Sequence, residues 1–358
     1  MFELWVHDAW TGDEIAPVDG YTADDGTSWS TNLGGTGQST WVFNARPGDD
    51  ALTAARLASW FLPNARFLAL RWGSTVVGAW KIEDWDYDDD KGTVTVTAVE
   101  IRGETKWRMT YGLDAYLDGT LTVTNRSHQG AVRAIVNRFI RGGQQEWRYP
   151  IDLPADGAGS FTATWEYWRK FTIADLLTQI EDEGQEVLFR PYLSGRQLRF
   201  QVLVAPRVQV GQSFFHLQAD DSPLGGIHYQ LSGANQITGA QGVGNGTGQD
   251  QEVRYAGAPP YTIPIRDVKR QFPDLVGDRL QAAANAWYAV DKNPTAQWTV
   301  GTFTISDDFP PDHALTGRGW QLESKGHPIF PDGPHALRVI AASGSWSNQI
   351  KTEVQSGV

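Results

Sequence analysis

Short segments rich in β-branched and aromatic residues recur along this chain and are separated by glycine and proline. Near the N-terminus they are 38–44 (QSTWVFN), 66–72 (RFLALRW), 75–84 (TVVGAWKIED) and 93–102 (TVTVTAVEIR). Such residues fit the pleated surface of a strand, whereas glycine and proline favour turns. With 38 Gly and 18 Pro among 358 residues, the sequence predicts a β-rich fold of many short strands.

Residues 1–105 are predicted to form a small β-barrel with one helical excursion. Between the strands 38–44 and 66–72, the segment 50–62 carries apolar residues at near-helical spacing: Leu52, Ala55, Leu57, Ala58 and Phe61. Pro63 follows as a stop signal, because proline cannot continue a helix. The strands and this helix together predict the first barrel.

Residues 106–205 show a different pattern, typical of a compact α+β module. A strand at 120–124 precedes a helix for which Ser127 is the predicted N-cap and Gly142–Gly143 the predicted end. In a second helix, Thr172 and Asp175 have the spacing of a capping box, and Gly184 stands at the expected C′ position. Strands 186–192 and 197–204 follow as a hairpin. The expected overall class is therefore mixed β-rich and α+β, with this α/β module between two barrels.

Residues 206–358 are predicted to form a second small β-barrel, again with a helical excursion. The helix, 274–290, has Asp274 after Pro273 as its predicted N-cap. Strands are expected near 227–231, 235–240, 297–306, 320–324, 336–342 and 345–354. The glycine-rich segment 242–248 is predicted to be a loop. Part of 206–250 could instead complete the first barrel, which would make that domain discontinuous.

The charge and the cysteine count exclude several functional classes. The chain has a formal net charge of −12 and no cysteine. Disulfides, thiolate metal sites and thiol nucleophiles are therefore excluded, and a strongly acidic protein is unsuited to gripping nucleic acid, whose affinity comes mainly from Lys and Arg. No apolar run approaches the ~20 residues of a membrane span. The N-terminus MFELWVHD also lacks the basic and apolar regions of a signal peptide.

Familiar catalytic motifs are missing from the sequence. There is no G-x-S-x-G elbow, no H-E-x-x-H and no P-loop, and the seven histidines form no i, i+4 pair. The acidic run 84–92 (DWDYDDDKG) opens like a calcium loop, but its sixth position is Asp89 in place of glycine, so a solvated hairpin is preferred. Glu166, beside Trp165 and Trp168, is a candidate acid for glycoside cleavage. We predict no catalytic residue, no metal site and no cofactor.

Tryptophan is abundant, with 16 in the chain. Flat indole rings can stack on sugars, and aromatic residues are also enriched at protein interfaces. The candidate glycan-binding or interface aromatics are Trp41, Trp80, Trp165 and Trp168. Core packing is the alternative for each of them.

Several segments resemble the tail-tip hub proteins, often called minor tail proteins or baseplate hubs, of long-tailed bacteriophages. They are 35–43 (GTGQSTWVF), 76–85 (VVGAWKIEDW) with 92–98 (GTVTVTA), 172–184 (TIADLLTQIEDEG) with 186–191 (EVLFRP), and 332–340 (DGPHALRVI). The resemblance touches most of the chain. A composition of 22 Arg against 8 Lys also suggests a GC-rich, actinobacterial host.

The resemblance implies a structural virion protein at the phage tail tip. Such hubs form a homotrimeric ring in which each chain supplies two barrels, so that six barrels join a six-fold tail tube to three-fold tip components. The ring would line the DNA channel without binding the passing DNA specifically. The implied partners are the distal tail protein, the tape measure protein and other minor tail proteins. Because the chain is shorter than relatives with a C-terminal lytic or receptor-binding domain, other proteins are expected to supply cell-wall hydrolysis.

Two alternatives remain open at this point. Exposed tryptophans could make the chain a glycan-binding virion adhesin. Paired carboxylates could make it a cell-wall glycosidase, because their separation is set in space and cannot be read from sequence.

Overall fold

A computed structural model describes residues 1–21, 26–34, 36–45, 52–110, 119–141 and 148–356. The N-terminal part contains the strands β1 (Phe2–Asp8), β2 (Glu14–Pro17), β3 (Ser28–Asn32), β4 (Gln38–Asn44), β5 (Arg66–Trp72), β6 (Thr75–Asp88) and β7 (Thr93–Glu100) and the helix α1 (Ala54–Trp60). The strands predicted at 38–44 and 66–72 are confirmed to the residue. After β7 the chain continues as a 3₁₀ helix, Ile101–Trp107.

The central part is the predicted mixture of helices and strands. It consists of β8 (Leu121–Arg126), α2 (His128–Ile140), β9 (Ile151–Asp152), β10 (Phe161–Trp165), α3 (Ile173–Asp182), β11 (Glu186–Ser194) and β12 (Gln197–Ala205). β11 and β12 form the predicted antiparallel hairpin, and β9 adds a parallel strand to β12. β8 pairs with β10 in a separate two-stranded sheet.

The C-terminal part is again mainly β. Its elements are β13 (Gln212–His216), β14 (Leu224–Ser232), β15 (Gly239–Val243), β16 (Val253–Ala256), β17 (Asp267–Gln271), α4 (Gly277–Asp291), β18 (Thr295–Thr304), β19 (Gly319–Ser324), β20 (Gly333–Gly344) and β21 (Gln349–Ser356). β15 lies between β16 and β17 in a small sheet that packs on α4. The glycine-rich loop starts later than predicted, because Gly242 belongs to β15. A Cβ there would lie 3.2 Å from Cβ of Ala284 in α4, so glycine permits this close packing.

One sheet of thirteen strands joins the two ends of the chain. Its main order is β14-β18-β21-β20-β3-β4-β7-β6-β5-β1-β2, and β19 pairs with both β20 and β13. The connection between the ends is the antiparallel pair β3–β20, in which Trp29 lies opposite Gly344. Among the described residues, no sheet closes on itself. The β-rich class is therefore confirmed, and the prediction of two barrels is not.

The two largest apolar clusters lie on this sheet. The first includes Trp29, Trp41 and Trp80 from the N-terminal strands together with Trp298 and Trp320 from the C-terminal strands. The second packs β5 and β6 against α2, α3 and the β11–β12 hairpin. The central α+β part is thus attached to the large sheet through a continuous apolar contact.

An N-cap was predicted for three helices, and two of these predictions are confirmed. Ser127 accepts a hydrogen bond from Gly130 N at the start of α2, and its predicted end at Gly142–Gly143 lies outside the described residues. The capping box of Thr172 and Asp175 is present in α3. Asp274 is not the N-cap of α4: Val276 holds that position, and the Asp274 carboxylate pairs instead with Arg169.

Candidate functional site: an aromatic-rimmed pocket and an exposed aromatic turn

The four candidate tryptophans occupy two very different environments. Trp41, Trp80 and Trp165 are buried. The Trp80 indole donates a hydrogen bond to the Ser30 carbonyl at 2.9 Å, and the Trp165 indole donates to Gln179 Oε1 at 2.8 Å. Trp168, in contrast, is 62% exposed. Of the four, Trp168 alone presents a ring to solvent.

Trp168 lies on a short 3₁₀ turn, Tyr167–Arg169, that follows β10. Tyr167 beside it is 51% exposed. Because Trp165 points into the core while Tyr167 and Trp168 are exposed, the three rings do not enclose Glu166 in the apolar wall that the sequence suggested. The turn instead presents two adjacent aromatic side chains to solvent.

The acidic run 84–92 forms the predicted hairpin between β6 and β7. Its lysine is paired within the turn: Lys91 Nζ lies 2.8 Å from Asp88 Oδ2. In the described part of the chain, no group of three or more His, Asp or Glu side chains is placed to hold a metal ion. The turn is held by this ion pair and by a hydrogen bond from the Tyr87 hydroxyl to Asp89 Oδ1 at 3.1 Å.

A cavity of about 560 Å³ lies where the large sheet meets the central part. The side chains that line it come from five separate segments: Trp10, Asn64, Lys81, Glu83, Glu104, Trp107, Arg148 and Tyr149. Trp10 is 53% and Trp107 73% exposed, so both rings lie at its rim. The volume falls within the range of about 300–1,000 Å³ that is usual for small-molecule sites.

A tight turn after β1 positions Trp10. The Asp8 carboxylate accepts hydrogen bonds from the backbone N–H groups of Trp10, at 2.9 Å, and Thr11, at 3.1 Å. Gly12 completes the turn with a φ of +77°, and a Cβ there would lie 2.1 Å from the Leu198 carbonyl oxygen. Only glycine fits both the backbone angle and this approach. Trp107, at the opposite rim, is the last residue of the 3₁₀ helix Ile101–Trp107.

The floor of the cavity is a buried ion pair. Lys81 Nζ lies 2.5 Å from Glu104 Oε2, and both side chains are almost fully buried. Lys81 also donates to Asn64 Oδ1 at 2.7 Å, and the Tyr149 hydroxyl donates to Glu104 Oε2 at 3.2 Å. Burial, and then the neighbouring Glu104 charge, raise the pKa of Tyr149, so its hydroxyl stays protonated.

One atom of this floor has an incomplete hydrogen-bonding environment. Glu104 Oε1 is buried and has no hydrogen-bond partner in the structure, although a carboxylate oxygen accepts strongly. A buried acceptor without a donor is costly, and such atoms often mark functional sites.

Sequence reasoning did not identify this pocket. Its signal in the sequence is weak: a lysine within the apolar strand segment VVGAWKIED and a glutamate in IRGETKW. A charged residue on a buried strand indicates a partner. The sequence does not indicate which of the many acids pairs with it, because Lys81 and Glu104 meet only through the packing of the 3₁₀ helix on β6.

Among the described residues, no helix is long and apolar enough to cross a membrane. Neither the family models nor the curated proteins contain a match to this sequence. Solved structures do match, over nearly the whole chain.

The chain is similar in structure to the tail protein from Neisseria meningitidis MC58, with a TM-score of 0.58 and 13% identity, covering 99% of this chain and 96% of that chain. It is similar to the 43 kDa tail protein of prophage MuSo2 from Shewanella oneidensis, with a TM-score of 0.58 and 12% identity, covering 99% and 98%. It is also similar to prophage tail protein gp18 from Listeria monocytogenes EGD-e, with a TM-score of 0.54 and 12% identity, covering 99% and 94%. At these identities the matches show a shared fold. Their organisms give no support to the predicted actinobacterial host.

Proposed function

We propose that this chain is a structural virion protein of the tail tip, or baseplate, of a long-tailed bacteriophage. The observation that carries the proposal is the extent of the structural match, which covers 99% of this chain and at least 94% of three phage or prophage tail proteins. A match of that extent includes both the large sheet and the central α+β part.

The proposed assembly is a homotrimeric hub ring that joins the six-fold tail tube to three-fold tip components. Each chain would supply two barrel-like units, one built on β1–β7 and one on β13, β14 and β18–β21. The pairing of β3 with β20 joins these two strand groups in one sheet, so it would hold the two units in a fixed relation within each subunit. Three chains with two units each would present six similar positions to the tube.

The net charge of −12 supports a role next to passing DNA. A duplex is held chiefly by Lys and Arg that neutralise its phosphates, so a negatively charged wall would let it slide. The proposed neighbours are the distal tail protein, the tape measure protein and other minor tail proteins. No catalytic step is assigned to the chain.

The exposed aromatic turn of Tyr167 and Trp168 is the proposed centre of a subunit contact. Aromatic side chains are enriched in the cores of protein interfaces, where their burial contributes much of the binding energy. An exposed pair on a short, well-placed turn can enter a pocket on a neighbour with little loss of conformational entropy.

The test is the mass of the purified chain, measured by light scattering after size exclusion over a range of concentrations. One chain has a mass of 39.6 kDa, so a trimer would have a mass of about 119 kDa. The proposed ring predicts this species, and Trp168→Ala is expected to shift the equilibrium toward monomer. Trp107→Ala, which removes an equally exposed tryptophan from a different surface, is the matched control and should leave the mass unchanged.

A chain that stays monomeric at all concentrations would contradict self-assembly into a ring. Addition of purified distal tail protein would then separate two cases. A stoichiometric three-fold complex would retain the tail-tip role, and the absence of any complex would reject it.

A further inference from the structure

We propose that the cavity between Trp10 and Trp107 binds one pyranose unit of an uncharged saccharide. This inference does not depend on the assembly role. It rests on the combination of two exposed rings at the rim and a buried polar floor, which are separate observations on the same cavity.

The rim has the chemistry to hold a sugar ring. Pyranoses have faces made of C–H groups, which pack favourably against the electron-rich face of an indole. Trp10 and Trp107 are both more than half exposed. The Lys106 ammonium lies 5.2 Å from the Trp107 ring centroid. One face of that ring therefore has a neighbour from its own chain that helps to orient it.

The floor has the chemistry to bind hydroxyl groups. A hydroxyl both donates and accepts a hydrogen bond. Glu104 Oε1 has no hydrogen-bond partner and needs a donor. The Lys81 ammonium is the donor beside this carboxylate, 2.5 Å from Glu104 Oε2, and it also donates to Asn64 Oδ1 at 2.7 Å.

The charges around the cavity favour a neutral ligand. Two carboxylates, Glu83 and Glu104, and two cationic side chains, Lys81 and Arg148, line it. A basic side chain of a protein partner could also pack against the two indoles. However, the two carboxylates are already matched by two cations, one of which lies 2.5 Å from Glu104, so an added positive charge gains little there. A sugar adds no charge to this balanced set, and its hydroxyl groups can bond to the polar atoms of the lining.

Saturation-transfer NMR on the full chain tests the proposal. The probes are maltotetraose, a tetramer of N-acetylglucosamine, rhamnose- and galactose-containing oligosaccharides, and a hexapeptide of alternating Arg and Ser. We expect transfer to at least one saccharide, and calorimetry with that saccharide should show affinity reduced about tenfold by Trp107→Ala and by Trp10→Ala, the loss of one ring contact.

Phe214→Ala is the matched control, since it removes an exposed aromatic side chain outside the cavity, and it should bind the saccharide as the wild-type chain does. Circular dichroism of each variant checks that the chain is folded. Transfer to none of the saccharides overturns the proposal, as does saccharide binding that survives both rim substitutions. Binding of the Arg-containing peptide alone would assign the cavity to a basic protein segment and also overturn it. Because the mass of the assembly is measured separately, failure here leaves the tail-tip proposal unaffected.

Discussion

At the scale of single residues, a network of charged groups ties the large sheet to the central hairpin. Arg71 on β5 donates to Glu14 Oε1 at 2.9 Å, and Glu14 Oε2 accepts from Arg196 Nε, in the turn between β11 and β12, at 2.7 Å. Arg71 also contacts Nε2 of His7. His7, Arg71 and Glu14 are largely buried, whereas Arg196 is exposed, so the loss of Arg71 or Glu14 would leave an uncompensated charge.

His7 must be neutral in this network. Its Nδ1–H donates to the Gly12 carbonyl at 2.8 Å, and Nε2 accepts from the Arg71 guanidinium. Burial, with a further contribution from Arg71, lowers the pKa of His7 to about 4. The unfolded chain takes up this proton near the ordinary histidine pKa of about 6.5. The stabilisation of the fold by neutral His7 is therefore fully present above pH 6.5 and is lost as the pH falls toward 4.

We expect the free energy of unfolding to fall by about 3 kcal/mol as the pH is lowered from 6.5 to 4, because of His7. Each pH unit in this range corresponds to about 1.4 kcal/mol. Denaturant unfolding at several pH values, compared with His7→Gln, measures this as a difference between the two proteins. The comparison with His7→Gln is needed because Glu100 changes the stability in the opposite direction. Burial raises the pKa of Glu100 to about 8, so its contribution to the stability falls as the pH rises. The control is His228→Gln, at an exposed position. An unchanged pH profile in His7→Gln would contradict the prediction.

The sequence alone did not distinguish buried tryptophans from exposed ones. Trp165 and Trp168 are three positions apart and equally attractive in the sequence, yet the first is buried and the second 62% exposed. The difference arises because β10 ends at Trp165 and the chain then enters a 3₁₀ turn. The pocket residues were missed for a related reason: Trp10, Lys81 and Glu104 are far apart in sequence and meet only in the folded chain.

At the scale of elements, local signals predicted most helices and hairpins. The capping box of α3 is an example: Asp175 N donates to Thr172 Oγ1 at 3.2 Å, and Thr172 N donates to Asp175 Oδ2 at 2.7 Å. The predicted start of α4 was wrong because Asp274 makes a tertiary contact in place of the local capping hydrogen bond. The Asp274 carboxylate pairs with Arg169 of the central part, which a sequence pattern around residue 274 cannot reveal.

Removal of the α3 cap should have a measurable effect. Thr172→Ala deletes the hydroxyl that accepts from Asp175 N and donates to Asp175 Oδ2 at 2.8 Å, so we expect a loss of about 1 kcal/mol in unfolding free energy. Thr178→Ala is a matched substitution at an exposed position inside the same helix. It should stabilise slightly, because alanine has the higher helix propensity. Equal effects of the two substitutions would show that the capping box contributes nothing.

At the scale of the whole molecule, many strand positions were predictable but their pairing was not. Residues 28–32 and 336–342 fall in separate predicted domains, and only the second segment was predicted as a strand, whereas in the structure β3 and β20 pair side by side. This contact depends on shape: a Cβ on Gly344 would lie 2.8 Å from Cζ2 of Trp29, and the Trp29 indole donates to the Ser345 carbonyl at 3.2 Å. Such complementarity between distant residues leaves no periodic signal in the sequence.

The shared sheet and core make the two ends of the chain one folding unit. The first apolar cluster contains buried side chains from Phe2 to Val354, so neither end can unfold without exposing the apolar surface of the other. We therefore expect calorimetry to show one transition for both strand groups, with calorimetric and van't Hoff enthalpies that agree. Two independent barrels would instead give two separable transitions.

Gly344→Ala tests the joint between the ends directly. The added methyl group collides with the Trp29 ring, so the whole transition should move to lower temperature, by an overpacking cost of about 1–3 kcal/mol. Gly20→Ala is the matched control, because a Cβ at Gly20 meets nothing within 4 Å, and its transition should stay in place. If Gly344→Ala shifted only part of the heat absorption, the strand groups would be unfolding separately. A shift of the entire peak means that the β3–β20 pair couples the two ends thermodynamically.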